Sequence, residues 1–350
     1  MKPSRAVAPL LLLAAPLAAC GDDGGAESIT LVAYDSFPEQ DTSLNAALAA
    51  FTEETGVDVE LVLAGDAGTM VSKAVLTAGN PEGDVMFGVD NTFLSRIVDE
   101  EVFEPYTADG LDTVPDELRA LVPDGEATPV DYGDVCINYD VAWFGERGLQ
   151  PPADLAALAE PEYRDLLVVE NPATSSPGLA FLLATVAQYG EDGWSDYWTQ
   201  LRDNGVEVVD GWEPAYYERF SGASDGPKPL VVSYGTSPPA EVLFADPPVT
   251  EAPTAVVEST CFRQIEFAGV LRGTDARDEA EQLVDFLVSE RFQTELPLTL
   301  FVYPANGDVP LPREFTEYSV QPANPATVDP AAIAANRESW IDQWTDLVLR

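Results

Sequence analysis

The side chains of this chain that could do chemistry are carboxylates, tyrosines, tryptophans and hydroxyls placed at the ends of apolar runs, and histidine is absent altogether. Without histidine the commonest general base and the commonest metal ligand are gone. Ser-His-Asp, Cys-His and His-rich metal sites are excluded, and no G-x-S-x-G nucleophile motif appears. What remains is suited to holding a ligand. Tyr34-Asp35-Ser36-Phe37 and Gly88-Val89-Asp90-Asn91 each close an apolar run. Thr174-Ser175-Ser176-Pro177-Gly178 reads as a helix start in which Ser176 caps a helix whose first residue is Pro177, with Ser175 just outside it. Tyr234-Gly235-Thr236-Ser237-Pro238 repeats the device. Such starts offer N–H groups and hydroxyls to an acceptor or an anion. Trp212, Tyr216, Tyr217 and Tyr234 add aromatic faces, and none of these motifs contains Lys or Arg. Aromatic faces beside carboxylates suit a flat organic cation. Taken singly, each motif also has a plainer reading as a polar loop, an ordinary cap or a core aromatic.

The elements that must position these residues alternate. Ser28–Tyr34 reads as a buried strand, 44–55 as an amphipathic helix stopped by Gly56, and Val57–Leu63 as the next strand. A helix over 69–77, a stop at Gly79-Asn80-Pro81 and a strand over 84–88 continue the pattern. Strand and helix in alternation predict a parallel sheet with crossover helices, whose ligands bind outside the carboxyl ends of the strands. A second set follows, with strands at 166–170, 206–209 and 230–234 and helices over 177–189 and 194–203. Two longer strand-like segments, 129–139 and 256–271, bracket that set and read as crossovers between two α/β lobes. The chain closes with a helix over 275–288, a segment 298–304, a Pro-rich loop and a terminal helix from Pro330.

Composition narrows the function classes. Asp and Glu number 61 against 17 Lys and Arg, a formal net charge of -44. The basic residues are too few to hold a phosphate backbone, which removes nucleic acid as a partner. The acids are scattered, as expected of a solvated surface. At the N-terminus, Lys2 and Arg5 precede an apolar run from Ala6 to Ala19 that ends at Cys20. That is an export signal, too short to span a bilayer, which needs about 20 apolar residues. Leu17-Ala18-Ala19-Cys20 resembles a bacterial lipobox, so Cys20 is expected to carry lipid. The alternative is an ordinary cleaved secretory peptide, and either places the protein outside the cytoplasm. Cys136 and Cys261 remain, one on each crossover. An exported protein more often pairs two thiols than leaves them free; the alternative is two buried reduced thiols. The expected organisation is a signal peptide over 1–20, a Gly-rich tether over 21–28, a first lobe over 29–133, a second over 134–260, and a return to the first over 261–350.

The motifs in order resemble the thiamine-binding proteins of bacterial ABC importers, within the type II periplasmic binding protein family. The resemblance runs through Tyr34-Asp35-Ser36-Phe37, Gly88-Val89-Asp90-Asn91, Asp131-Tyr132-Gly133, Thr174–Leu179, Gly211-Trp212 with Ala215-Tyr216, Ser233–Pro238, Tyr303-Pro304 and Ser339-Trp340. It implies a two-lobe α/β binding protein, not an enzyme, with no cofactor and no metal, working as a monomer with an importer permease. It also implies ligand contacts at Tyr34, Gly68, Ser175, Ser176, Trp212, Tyr234, Gly235, Thr236 and Ser237. Asp66, with Ala67 where the family has its acid, and Phe301, where the family has tryptophan, belong to the same implied set, and Asp90 stands on the same rim. Competing expectations are the same fold with a polyamine or ferric ion as cargo, and a secreted hydrolase using two carboxylates and a water.

Overall fold

The computed structural model describes residues 27–122 and 124–350, so Cys20 and residues 21–26 of the expected tether lie outside the described residues. Strand β1 (Glu27–Ala33) pairs in parallel with β2 (Val57–Leu63) and β3 (Val85–Asp90). Between β1 and β2 runs the Ser43–Thr55 helix. Thr42 caps it in a reciprocal box with Asn45, Leu44, Leu48 and Phe51 bury its inner face, and Gly56 ends it in the left-handed conformation at φ 79°. The next helix starts at Ala67 rather than Thr69, because the Asp66 side chain accepts the Ala67 N–H and begins the turn two residues early.

Two long strands carry the chain across the molecule. After the short β4 (Phe103–Glu104), β5 (Thr128–Asp140) is 13 residues long and β9 (Thr254–Leu271) is 18. They pair antiparallel along most of their length. Between them in sequence lie β6 (Leu167–Glu170), β7 (Glu207–Val209) and β8 (Leu230–Tyr234), and β10 (Tyr303–Pro304) follows. The hydrogen-bonded order is β2-β1-β3-β9-β5-β8-β6-β7, with β4 on β9 and β10 on β5. β3 joins the carboxyl-terminal half of β9, whereas β8 joins the carboxyl-terminal half of β5. One sheet is therefore shared by two α/β lobes with crossover strands between them, the type II binding-protein architecture.

Halfway along the crossover the register breaks. Val135 pairs with Phe262 but Ile137 pairs with Val257, so residues 258–261 of β9 stand opposite the single residue Cys136. Thr260 Oγ1 accepts the Ile137 N–H that the bulge would orphan. At this point a disulfide joins Cys136 to Cys261, with Cα atoms 4.2 Å apart.

The second lobe packs its helices around one apolar core. The Ser176–Tyr189 helix is buried from Ser176 to Val186, and Trp198 of the Trp194–Asp203 helix meets Trp344 of the terminal Pro330–Val348 helix edge-on. The terminal helix thus belongs as much to the second lobe as to the first, since its Arg337 also bonds Ser95. In the segment 298–304 the helical turn Leu296–Thr299 gives way to the short strand Tyr303–Pro304.

Candidate functional site

A cavity of about 210 Å³ opens between the lobes at the carboxyl ends of β1, β2 and β8. Tyr34 and Asp35 follow β1, Asp66 and Ala67 follow β2, Ser176 starts its helix after β6, and Trp212 and Glu213 follow β7. Tyr216 and Tyr217 sit on a π-helical turn over Pro214–Arg219, a geometry common at functional sites. Glu266 of β9 lines the cavity from the crossover, and Phe301 with its neighbours closes another side. Phe301 has φ 56°, a left-handed backbone uncommon for an aromatic residue and held here by its surroundings.

Trp212 is the best-anchored of these groups. Its backbone N–H donates to Asp66 Oδ2 at 3.0 Å and its indole Nε1 donates to Ser233 Oγ at 2.9 Å. Tyr216 stacks on the ring, with centroids 5.0 Å apart and planes 19° from parallel, while Tyr217 meets it edge-on. The Asp66 bond crosses from one lobe to the other, as does Thr69 N to Thr174 O at 3.2 Å. Phe244 and Phe301 also meet across the opening, ring centroids 5.9 Å apart. The lobes are closed on one another.

The electrostatics are one-sided. Asp35, Asp66, Glu213 and Glu266 line the cavity, and no Lys or Arg is among the described residues that do. Burial pushes the Asp66 carboxyl up to about 6, against the pull of the Trp212 N–H. Glu213 is raised by burial and then by the charge of Asp35 facing it from the other lobe. Tyr34 and Tyr234 keep their protons firmly, because they are buried beside Glu266. Among the described residues no group of three or more Cys, Asp and Glu side chains is arranged to hold a metal ion.

Of the residues singled out from sequence, Tyr34, Asp66, Ser176, Trp212, Tyr234, Ser237 and Phe301 lie around this one cavity. The others do not line it. Gly68 is where the lobes touch: a Cβ there would stand 2.7 Å from Thr174 O. Gly235 faces away, its carbonyl accepting Val320 N–H at 2.7 Å and its missing Cβ leaving room for Val320 O. Asp90, Ser175 and Thr236 are fully buried beneath the surface. The cap also lies one residue earlier than the sequence predicts: Ser175 is the N-cap and Ser176 the first helical residue. Ser175 makes no capping bond; its hydroxyl faces Asp66 instead. Ser176 instead accepts from Gln264. The second start has its cap where the sequence places it, Ser237 before Pro238, but it makes no capping bond either: the Ser237 hydroxyl bonds Ser233 and accepts the Tyr234 N–H, and the helix after it, Pro238–Leu243, is only six residues long.

Motif reading passed over Glu213 within the Trp212–Tyr217 stretch, and it missed Phe244 and Glu266 among the other lining residues. For Glu266 a signal existed, an acid set inside the apolar run Ile265-Glu266-Phe267-Ala268 where a strand would bury it. Phe244 lies at the end of a short helix and had none.

Known proteins of similar sequence and shape point the same way. The chain is 29% identical over 343 residues to the thiamine-binding periplasmic protein of Salmonella typhimurium strain LT2, covering 98% of each. A solved periplasmic thiamin binding protein superposes with a TM-score of 0.80 at 27% identity, covering 92% of this chain and 96% of that one. The ferric binding protein from Campylobacter jejuni shares the fold, with a TM-score of 0.71 at 15% identity over 91% of this chain and 99% of that one. Residues 80–343 match the model of the bacterial extracellular solute-binding proteins, and the chain belongs to that family.

Proposed function

We propose that this protein captures thiamine, or thiamine bearing phosphates, outside the cell and delivers it to an ABC importer. Export would be followed by lipidation at Cys20, leaving a monomer tethered to the outer face of the membrane. The observation that carries the cargo reading is the cavity lining: the Trp212 indole held flat by Tyr216, further aromatic rings around it, four carboxylates, and no basic side chain. A cation over an aromatic face gains about 0.5 to 2 kcal/mol, most over Trp. The thiazolium of thiamine is a permanent cation, so its attraction does not depend on protonating the ligand. Its aminopyrimidine offers hydrogen-bonding edges that Ser176, Ser237 and Asp66 could meet. The similarity to thiamine-binding proteins over nearly the whole chain supports the same reading.

Cargo would also drive closure. Asp35 and Glu213 approach one another from opposite lobes, and like charges disfavour that approach until a cation lies between them. Thiamine is therefore expected to compact the protein, seen as a smaller radius of gyration in solution scattering. Identical curves with and without saturating thiamine would defeat the hinge. A thermal-shift comparison of thiamine, its phosphates, spermidine and ferric citrate tests the cargo, because a ligand specific to the folded state raises the melting temperature. A shift with spermidine or ferric citrate and none with thiamine would reassign the site.

A further inference from the structure

Three acidic side chains stand abreast on three neighbouring strands. Asp90 of β3 is the register partner of Glu266 in β9, and Glu266 is the register partner of Asp131 in β5. Register partners project to the same face of a sheet, so the three carboxyl groups form a row beneath the cavity that Glu266 lines. Asp90 and Asp131 are 0% exposed and Glu266 6%.

The row is poorly satisfied. Asp90 Oδ1 accepts from Thr92 and Phe93, and Glu266 Oε1 accepts from Gln264. Asp90 Oδ2, Glu266 Oε2 and both oxygens of Asp131 have no hydrogen-bond partner. Like charges directly opposite one another in a sheet are destabilising, and a buried carboxylate without donors is costly. Nothing basic offsets them. The groups that face the row are Tyr34 after β1, Ser176 on its helix, Tyr234 of β8 and Gln264 of β9. Arg263 on β9 is taken by Asp134 at 2.8 Å and lies over the Tyr132 ring.

We infer that Glu266, with Asp131 and Asp90 behind it, is the counter-charge for the cationic centre of the cargo, and that the empty row stores a proton which leaves to solvent when the cation enters. The inference rests on the cationic-cargo reading above. The charge balances: one positive charge comes in, one proton goes out to buffer, and no covalent bond to the cargo forms. Burial raises the proton affinity of both Glu266 and Asp131 well above that of ordinary carboxyls, and the charges of Asp131 and Asp90 raise Glu266 further. Because the cation prefers the deprotonated row, affinity falls on acidification by up to tenfold per pH unit on the acid side of that titration, and levels off above it.

Calorimetric titration with thiamine near pH 7, in phosphate and in Tris, reads the protons released from the difference in observed heat. About one proton per thiamine is expected from the wild type. Glu266→Gln should weaken binding tenfold or more, and Asp131→Asn, which alters no lining residue, should cut the proton release and flatten the pH dependence. Equal heats in both buffers with tight, pH-independent binding would overturn the stored proton while leaving thiamine as the cargo. Absence of thiamine binding at every pH would sink the cargo reading and the coupling with it. A second measurement does not depend on cargo. The folded row holds a proton that unfolded carboxyls give up near pH 4, so the empty wild type should lose more stability than Asp131→Asn as pH rises from 6 to 9. Parallel stability curves for the two proteins would overturn the proton store outright.

Discussion

Replacing Trp212 with alanine is expected to weaken thiamine binding by roughly 2 kcal/mol or more, the combined loss of stacking on a cation and of apolar contact. Three anchors already fix the indole before any ligand arrives: Asp66 on its backbone N–H, Ser233 on its ring nitrogen, and Tyr216 against one face. The free protein has therefore already met the ordering cost, and little of the interaction is lost to entropy on binding. Trp212→Phe separates the contributions. It keeps an apolar ring over Tyr216 but gives up the bond to Ser233, so its affinity should fall between those of wild type and alanine. Calorimetric titration of both variants measures the effect. An unchanged affinity in the alanine variant would make the indole a packing residue and move the cargo elsewhere in the cleft.

Removal of the Cys136–Cys261 bond is the change expected to cost most in stability. The cysteines are 125 residues apart, and closing so large a loop in the unfolded chain corresponds to roughly 3 to 5 kcal/mol. A paired serine variant, Cys136→Ser with Cys261→Ser, should melt well below the oxidised protein, and reductant should bring the wild type down towards it. Mass spectrometry of unreduced material should find no thiol open to alkylation. Two alkylatable thiols in native protein would mean that the pairing does not form in solution.

Local patterns in the sequence carried much of the fold. The strand over Val57–Leu63 and the helix over Trp194–Asp203 have in the structure the limits their periodicity suggests, because each is flanked by a stop or a turn. The crossovers were recognisable as long apolar segments without helices of their own. The two cysteines even suggested that the crossovers run side by side, but their register was not legible, since register between segments more than 100 residues apart leaves no mark in either one alone. That is why Glu266 and Asp131 could not be seen as neighbours, although Asp131 stood in a recognised motif. The helix start at Ser176-Pro177 was misplaced by one residue for a different reason. A Ser-Pro pair is compatible with serine either as cap or as first helical residue. Gly68 and Gly235 were legible as special positions, but the sequence could not say that what each glycine admits is a neighbouring backbone.

The long strands β5 and β9 belong to both lobes at once, so the sheet that builds each half of the protein is also a spring between the halves. Opening and closing must twist those two strands about the point where residues 258–261 loop out opposite Cys136 and the disulfide ties them down. The stiffness of that torsion element sets how often the empty protein visits the closed shape. Apparent affinity scales with that fraction, so a change at the tie, far from every ring and carboxylate of the cavity, should retune cargo capture with no contact altered. Comparing thiamine affinity in oxidised and reduced protein at a temperature where both stay folded would read the setting of the spring, and equal affinities would show that the tie bears no part of the twist.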